Sequence, residues 1–275
     1  MERILSLPRL DSTDLQTLVI HLGAAEHGKL PSSCSRAIHA QVLKWFHLEQ
    51  PELSQAIHDS QESPISLSGL VSNHVGRTVQ EGDEFYFRIG LLNGSLLEPL
   101  LGGLERWGSQ SMVLSHFPFV IKKISTLPGR NPLIGSSDYD LLAQMSSNTN
   151  IMKLRFLSPT SFKVWQTSHI QPIPLPDSVF GSLLHRWNTF APKRLAFPTI
   201  QWAGLIYTFD LRSQRLNIGN NLELGSVGWV KYQFPDLHQA RIATILSHFA
   251  FFSGVGRKTA IGMGQTLLES EDKTS

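Results

Sequence analysis

The chain has 275 residues, of which 41% are apolar and 17% charged, and its formal net charge is +2. That length suits two domains, and that balance supports a buried core rather than a disordered chain. So small a charge excess excludes a polyanion-binding surface spread over the whole molecule, and a single cysteine, Cys34, excludes a disulfide framework or a cysteine-built zinc site.

The opening residues contain no apolar run of signal-peptide length, and no stretch approaches the ~20 apolar residues of a membrane span. A soluble, cytoplasmic protein with no membrane partner is therefore expected. Residues 15–22 are β-prone and predict a strand. A turn-like stretch over 23–35 follows, then a helix over 36–48 that buries Ile38, Val42, Trp45 and Phe46. A second short helix over 51–58 opens on Pro51, and an extended segment resumes at Ile65. A strand over 84–92, a helix over 95–107 and a strand or hairpin over 111–124 complete the first half. The order is β-α-β-β-α-β, the ferredoxin-like arrangement.

Residues 127–150 are richer in Pro, Gly, Ser and Asn and are expected to form a linker between domains at 1–126 and 151–275. The second half repeats the element order without repeating the sequence. A strand over 151–156 is broken by Ser158-Pro159-Thr160. A helix over 178–190 buries Val179, Leu183, Leu184 and Trp187. Strands over 200–211 and 227–234, a helix over 238–252 and a last strand over 264–268 follow. The expected fold class is α+β, two tandem ferredoxin-like (βαββαβ) domains.

The segment between the last helix and the last strand is the most informative. In Gly254-Val-Gly256-Arg257-Lys258-Thr-Ala-Ile-Gly262-Met-Gly264, four glycines fall within eleven residues around two cations. Glycine permits positive φ and close approach, exposed amides can cradle an anion, and the cations suit phosphate. A dinucleotide fingerprint fails for want of the third glycine and because the loop follows a helix, and a phosphate-binding P-loop fails for the same reversed order. A purely structural glycine turn stays open on these residues alone. Lys122-Lys123 with Arg130, Lys153 with Arg155, and Lys193-Arg194 are further basic clusters, each of which reads first as a solvated surface pair.

This glycine-rich segment resembles the C-terminal loop of the repeat-associated RNA-binding (RAMP) superfamily, and within it the CRISPR repeat-RNA endoribonucleases. The phrase Phe156-Leu-Ser-Pro159-Thr and the helix from Phe180 through Leu184 to Trp187 are similar too. The resemblance is strong over the last ~30 residues and over 37–68 and weaker elsewhere, as variable loops allow. It implies two ferredoxin-like domains, a glycine-rich loop that contacts RNA through Gly254, Gly256, Arg257, Lys258, Gly262 and Gly264, and CRISPR repeat RNA as partner, as precursor and as product. It also implies metal-independent cleavage of precursor RNA within repeats, with attack by a ribose 2′-OH, a 2′,3′-cyclic phosphate and a 5′-OH as ends, and no cofactor.

The resemblance places the catalytic histidine in a His-Asp phrase past the first helices, which here is His58-Asp59, and makes His58 the first choice. Histidine suits this work because its pKa near 6.5 lets it take and give protons at neutral pH. His39 on the first helix is second, and His47 lies about two turns further on. The alternative for His58 is a helix-end histidine, and for His39 a core or surface one. Some relatives pair the histidine with a tyrosine and a lysine, but Leu43 and the stretch 61–64 offer neither. Lys29, Arg36, Lys44, Arg257 and Lys258 remain candidates for the charge-stabilising group, and Ser60 for positioning. The eleven histidines include no His-x-x-x-His pair, and no metal site is expected. Tyr86, Phe87, Trp202, Tyr207 and Trp229 sit in apolar strands and read as core rather than as base-stacking residues. Two other functions remain: a non-catalytic RNA-binding subunit of a CRISPR effector complex, and an unrelated two-domain protein with a structural loop.

Overall fold

The computed structural model describes residues 14–72, 76–129, 131–145, 149–164, 169–219 and 221–269, and the chain divides into two units, Met1–Ser136 and Ser137–Ser275. The boundary falls inside the Pro-, Gly- and Ser-rich stretch. Arg130 lies outside the described residues.

The first unit runs β1 (Asp14–Ala24), β2 (Gly28–Lys29), α1 (Ser35–Glu49), α2 (Pro51–Asp59), β3 (Ile65–Leu67), β4 (Thr78–Val79), β5 (Glu84–Leu91), α3 (Leu97–Trp107), β6 (Met112–Leu114) and β7 (Phe117–Ser125). Its main sheet is ordered β3-β5-β1-β7-β6, with antiparallel neighbours throughout. The expected stripe of α1 is fully buried, and its Trp45 stacks on Phe87 of β5 at 6.1 Å between ring centres. The β6–β7 hairpin turns on Ser115 and His116, both at positive φ, the backbone that a two-residue turn needs to match strand twist.

Residues 133–135 are tied to β1 and β5 by hydrogen bonds. The Leu133 carbonyl accepts from Arg88 Nε at 2.9 Å, and Thr17 and Gly135 exchange backbone and hydroxyl bonds. Cys34 is buried, and burial pushes its thiol up to about 11. The native protein is therefore expected to leave Ellman's reagent unreacted at about pH 8, with the thiol titrating only after unfolding. Reaction of the native protein at the rate of a free cysteine would contradict this burial.

A short strand, β8 (Ser136–Asp138), spans the boundary, and the second unit then runs α4 (Tyr139–Ala143), β9 (Ile151–Thr160), β10 (Phe162–Lys163), β11 (Ile170–Gln171), α5 (Pro176–Phe190), β12 (Leu205–Ile218), β13 (Asn221–Gln233), α6 (Leu237–Ser253) and β14 (Thr266–Glu269). Its sheet is ordered β12-β13-β9-β14, all antiparallel. In both units the second, third, first and fourth strands of a βαββαβ unit are neighbours, so each is a ferredoxin-like domain. In the core, Trp187 of α5 meets Tyr139 of α4 and Phe249 of α6 edge-on.

Three local expectations change. Ser158-Pro159-Thr160 does not break the strand: β9 continues to Thr160 through an irregular pairing with β13, and the carbonyl of Pro159 accepts from Gly264 N at 3.1 Å. Proline lacks only a donor, so it is tolerated where the ladder is irregular. The two strands expected over 200–211 and 227–234 are parts of one long β12–β13 hairpin. Within the stretch 127–150, α4 forms, and Asp138 caps it by accepting from Leu141 N at 2.7 Å. Tyr207, expected in the core, is 62% exposed on the edge strand β12. None of the described helices is long and apolar enough to cross a membrane.

Candidate active site

The corner between α1 and α2 is set by Pro51. A residue before proline is pushed out of the helical region, and Gln50 has an extended φ of −144°, so α1 stops there and Pro51 opens α2. Ser54 on α2 then donates its hydroxyl to the Leu43 carbonyl at 2.8 Å, tying the two helices together. His39 lies beside the buried stripe of α1, one residue from Ile38 and three from Val42, and is half-buried. His58 lies in the last turn of α2 and is exposed. Ser60 follows it and donates to Ile57 O at 2.7 Å, so its hydroxyl serves the helix end.

The structure brings these two histidines into electrostatic reach of each other. Burial lowers the His39 pKa below its usual 6.5, and the charge on His58 lowers it further. His39 is thus neutral at pH 7 and able to accept a proton, with a second imidazole close by. The Pro51 corner is the physical cause of the pairing, because it folds α2 back against α1. His47 is exposed.

Among the first unit's candidate cations, the Lys44 ammonium sits 4.6 Å from the centre of the Trp107 ring. Arg36 is exposed and lies three residues before His39, on the same side of α1. Lys29 is exposed on β2. Leu43 occupies the position the resemblance gives to tyrosine, and its carbonyl is the acceptor for Ser54. Among the described residues, no group of three or more His, Cys, Asp or Glu side chains is arranged to hold a metal ion.

The glycine-rich segment of the second unit folds onto its own domain. A Cβ on Gly264, which has φ +72°, would stand 2.1 Å from the Val255 carbonyl oxygen, and one on Gly256, with φ +78°, 2.5 Å from that of Ser161. These two glycines therefore allow backbone to cross backbone. Gly254 and Gly262 also lie in the turn and are buried. Many of the loop's amides have internal acceptors: Val255 N donates to Gly264 O at 2.8 Å, Arg257 N to Ser161 O at 3.1 Å and Gly256 N to Ser182 Oγ at 3.3 Å. What the loop presents outward is side-chain charge. Arg257 Nη1 bonds Glu223 Oε2 at 2.7 Å, and Lys258 Nζ bonds the other oxygen of the same carboxylate. Burial alone would raise the Glu223 pKa, but Lys258 and Arg257 outweigh it and hold the carboxyl below its usual range.

The other basic clusters of this unit are also paired. Lys153 and Arg155 share Glu269, and Arg194 meets Asp140 at 2.6 Å. Phe87 and Trp202 are buried as expected, while Trp229 is partly exposed beneath the Lys153 ammonium at 4.7 Å. Sequence reasoning missed Glu223. It lies 34 residues before Arg257, and only the hairpin return brings it there. The signal for His39 is its place beside the Ile38–Val42 stripe, which the sequence shows.

The family model described as CRISPR-associated endoribonuclease Cas6 matches residues 154–266. No curated protein matches. Among solved structures, the Cas6 (TTHB231) product complex of Thermus thermophilus is 23% identical, with 94% of this chain and 100% of that one covered at a TM-score of 0.78. The Cas6 (TTHA0078) product complex is 27% identical, with the same coverage and a TM-score of 0.70. A Cas6-related protein from Pyrococcus furiosus is 15% identical over 94% of this chain and 99% of that one, with a TM-score of 0.64. The family model thus matches most of the second unit, and nearly the whole chain is similar in fold to solved Cas6 proteins.

Proposed function

We propose that the chain is a metal-independent endoribonuclease that cuts CRISPR precursor RNA within its repeats. The observation that carries this reading is the half-buried, charge-disfavoured imidazole of His39 beside His58. RNA transesterification needs one group to take a proton from the attacking 2′-OH and another to give one to the departing 5′ oxygen. The 2′-oxygen forms its bond to phosphorus as the bond to the 5′ oxygen breaks, which leaves a 2′,3′-cyclic phosphate and a 5′-OH. His39, neutral at pH 7, suits the base. His58, on the solvent side of the pair, suits the acid. This reverses the order the sequence suggested and keeps both residues. Arg36 is positioned along α1 to offset charge developing on the phosphorane. The solved Cas6 structures in complex with product and with a substrate mimic support RNA as the ligand class.

In the second unit, Arg257 and Lys258 are proposed to contact the RNA backbone. Gly254, Gly256, Gly262 and Gly264 fix the path of the loop that carries them. The test is incubation of the full chain with repeat RNA in excess chelator. The expected result is a single cut per repeat with a cyclic phosphate end. RNA that is bound tightly yet stays intact would favour the non-catalytic effector subunit instead.

A further inference from the structure

We infer that Arg257 and Lys258 form a phosphodiester site that the chain itself keeps closed, with the Glu223 carboxylate occupying the place of an RNA phosphate. This rests on the reading above that the loop's cations meet the RNA backbone, and it adds a residue that limits how well they do so.

Three features carry it. First, the two oxygens of one carboxylate are divided between two cations, Oε2 to Arg257 and Oε1 to Lys258. The two non-bridging oxygens of a phosphodiester offer the same bidentate pattern to the same donors. Second, the site is accessible: the Arg257, Lys258 and Glu223 side chains keep 27%, 24% and 12% of their exposure. An ion pair at that depth is weak enough for a polyanion to compete with it.

Third, the cations are held more firmly than the acid. The Arg257 and Gly256 amides are anchored on Ser161 and Ser182, and Lys258 has a left-handed backbone at φ +59°, which fixes where its side chain starts. Glu223 sits on a two-stranded overhang. It is paired with Leu216 of β12, whereas the pairing of β13 with β9 begins only at Ser226. A carboxylate on such an overhang can swing away while the cations stay in place.

Removing the negative charge should therefore free a ready-made site. The probe is a fluorescein-labelled repeat RNA with 2′-O-methyl groups, which has no 2′-OH to attack, followed by anisotropy over a salt series with the full chain. Glu223→Gln is expected to tighten binding about threefold to fivefold, the scale of a partly exposed ion pair, and to steepen the salt dependence by about one phosphate contact. Arg257→Ala with Lys258→Ala is expected to weaken binding and flatten that dependence, and adding Glu223→Gln to it should change nothing further. If the double alanine variant weakens binding but Glu223→Gln leaves it unchanged or weakens it, Glu223 orients the cations and the inference falls alone. If the double alanine variant binds like the parent, the loop does not meet the RNA backbone, and both readings fall.

Discussion

His39→Ala is expected to slow single-turnover cleavage of repeat RNA by about 10²–10⁴-fold, the range for loss of a general acid–base group, while leaving RNA affinity nearly unchanged. The pH dependence makes the test specific. Burial first, and His58 second, lower the His39 pKa, so the base stays neutral somewhat below pH 6.5, and the acid limb of the parent rate profile should fall there. His58→Gln removes the charge that contributes to this lowering. Its residual activity should show an acid limb moved up toward 6.5, because the burial contribution remains and the repulsion does not. A His39→Ala enzyme that cuts at the parent rate, or an acid limb that stays in place in His58→Gln, would show that His39 is not the base.

The largest effect on stability is expected at Gly103. A Cβ added there would stand 1.9 Å from the Trp45 carbonyl oxygen, where α3 crosses α1 backbone to backbone. Neither backbone can yield without separating the helices that cover the sheet. Gly103→Ala is therefore expected to cost about 3 kcal/mol, at the upper end of overpacking, and to lower the melting temperature of the first unit by ~10 °C. Gly181 on α5 is the control, since an added Cβ meets nothing within 4 Å. There alanine should be neutral or raise stability by about 0.5–1 kcal/mol, as it does within a helix. Equal melting temperatures for the two variants would mean that the helices do not pack this closely. Because α1 also carries His39, Gly103→Ala should lower cleavage along with stability.

Wherever the local pattern and the packing agree, the elements were legible. The α1 stripe of Ile38, Val42, Trp45 and Phe46 and the α5 stripe of Val179, Leu183, Leu184 and Trp187 are all buried. Both βαββαβ orders followed from these stripes and from the β-prone runs between them. The errors lie where local chemistry was outweighed by partners distant in the chain. Pro159 looked like a breaker, but Gly264 donates to its carbonyl and the strand continues. Tyr207 looked like core, but β12 is an edge strand, and an edge leaves part of an apolar run uncovered.

The candidate site divides in the same way. The sequence by itself determined which residue types were present: two histidines near the first helices, and two cations among four glycines. It also determined the break at Pro51, because the restriction proline places on the residue before it is local. Only the tertiary structure decided what surrounds each group. It half-buries His39 beside His58, which together lower its pKa, and it places Glu223 across Arg257 and Lys258. Desolvation and ion pairing depend on what lies within a few ångströms, and for Glu223 that neighbourhood is assembled by a hairpin return across 34 residues, which no local pattern encodes.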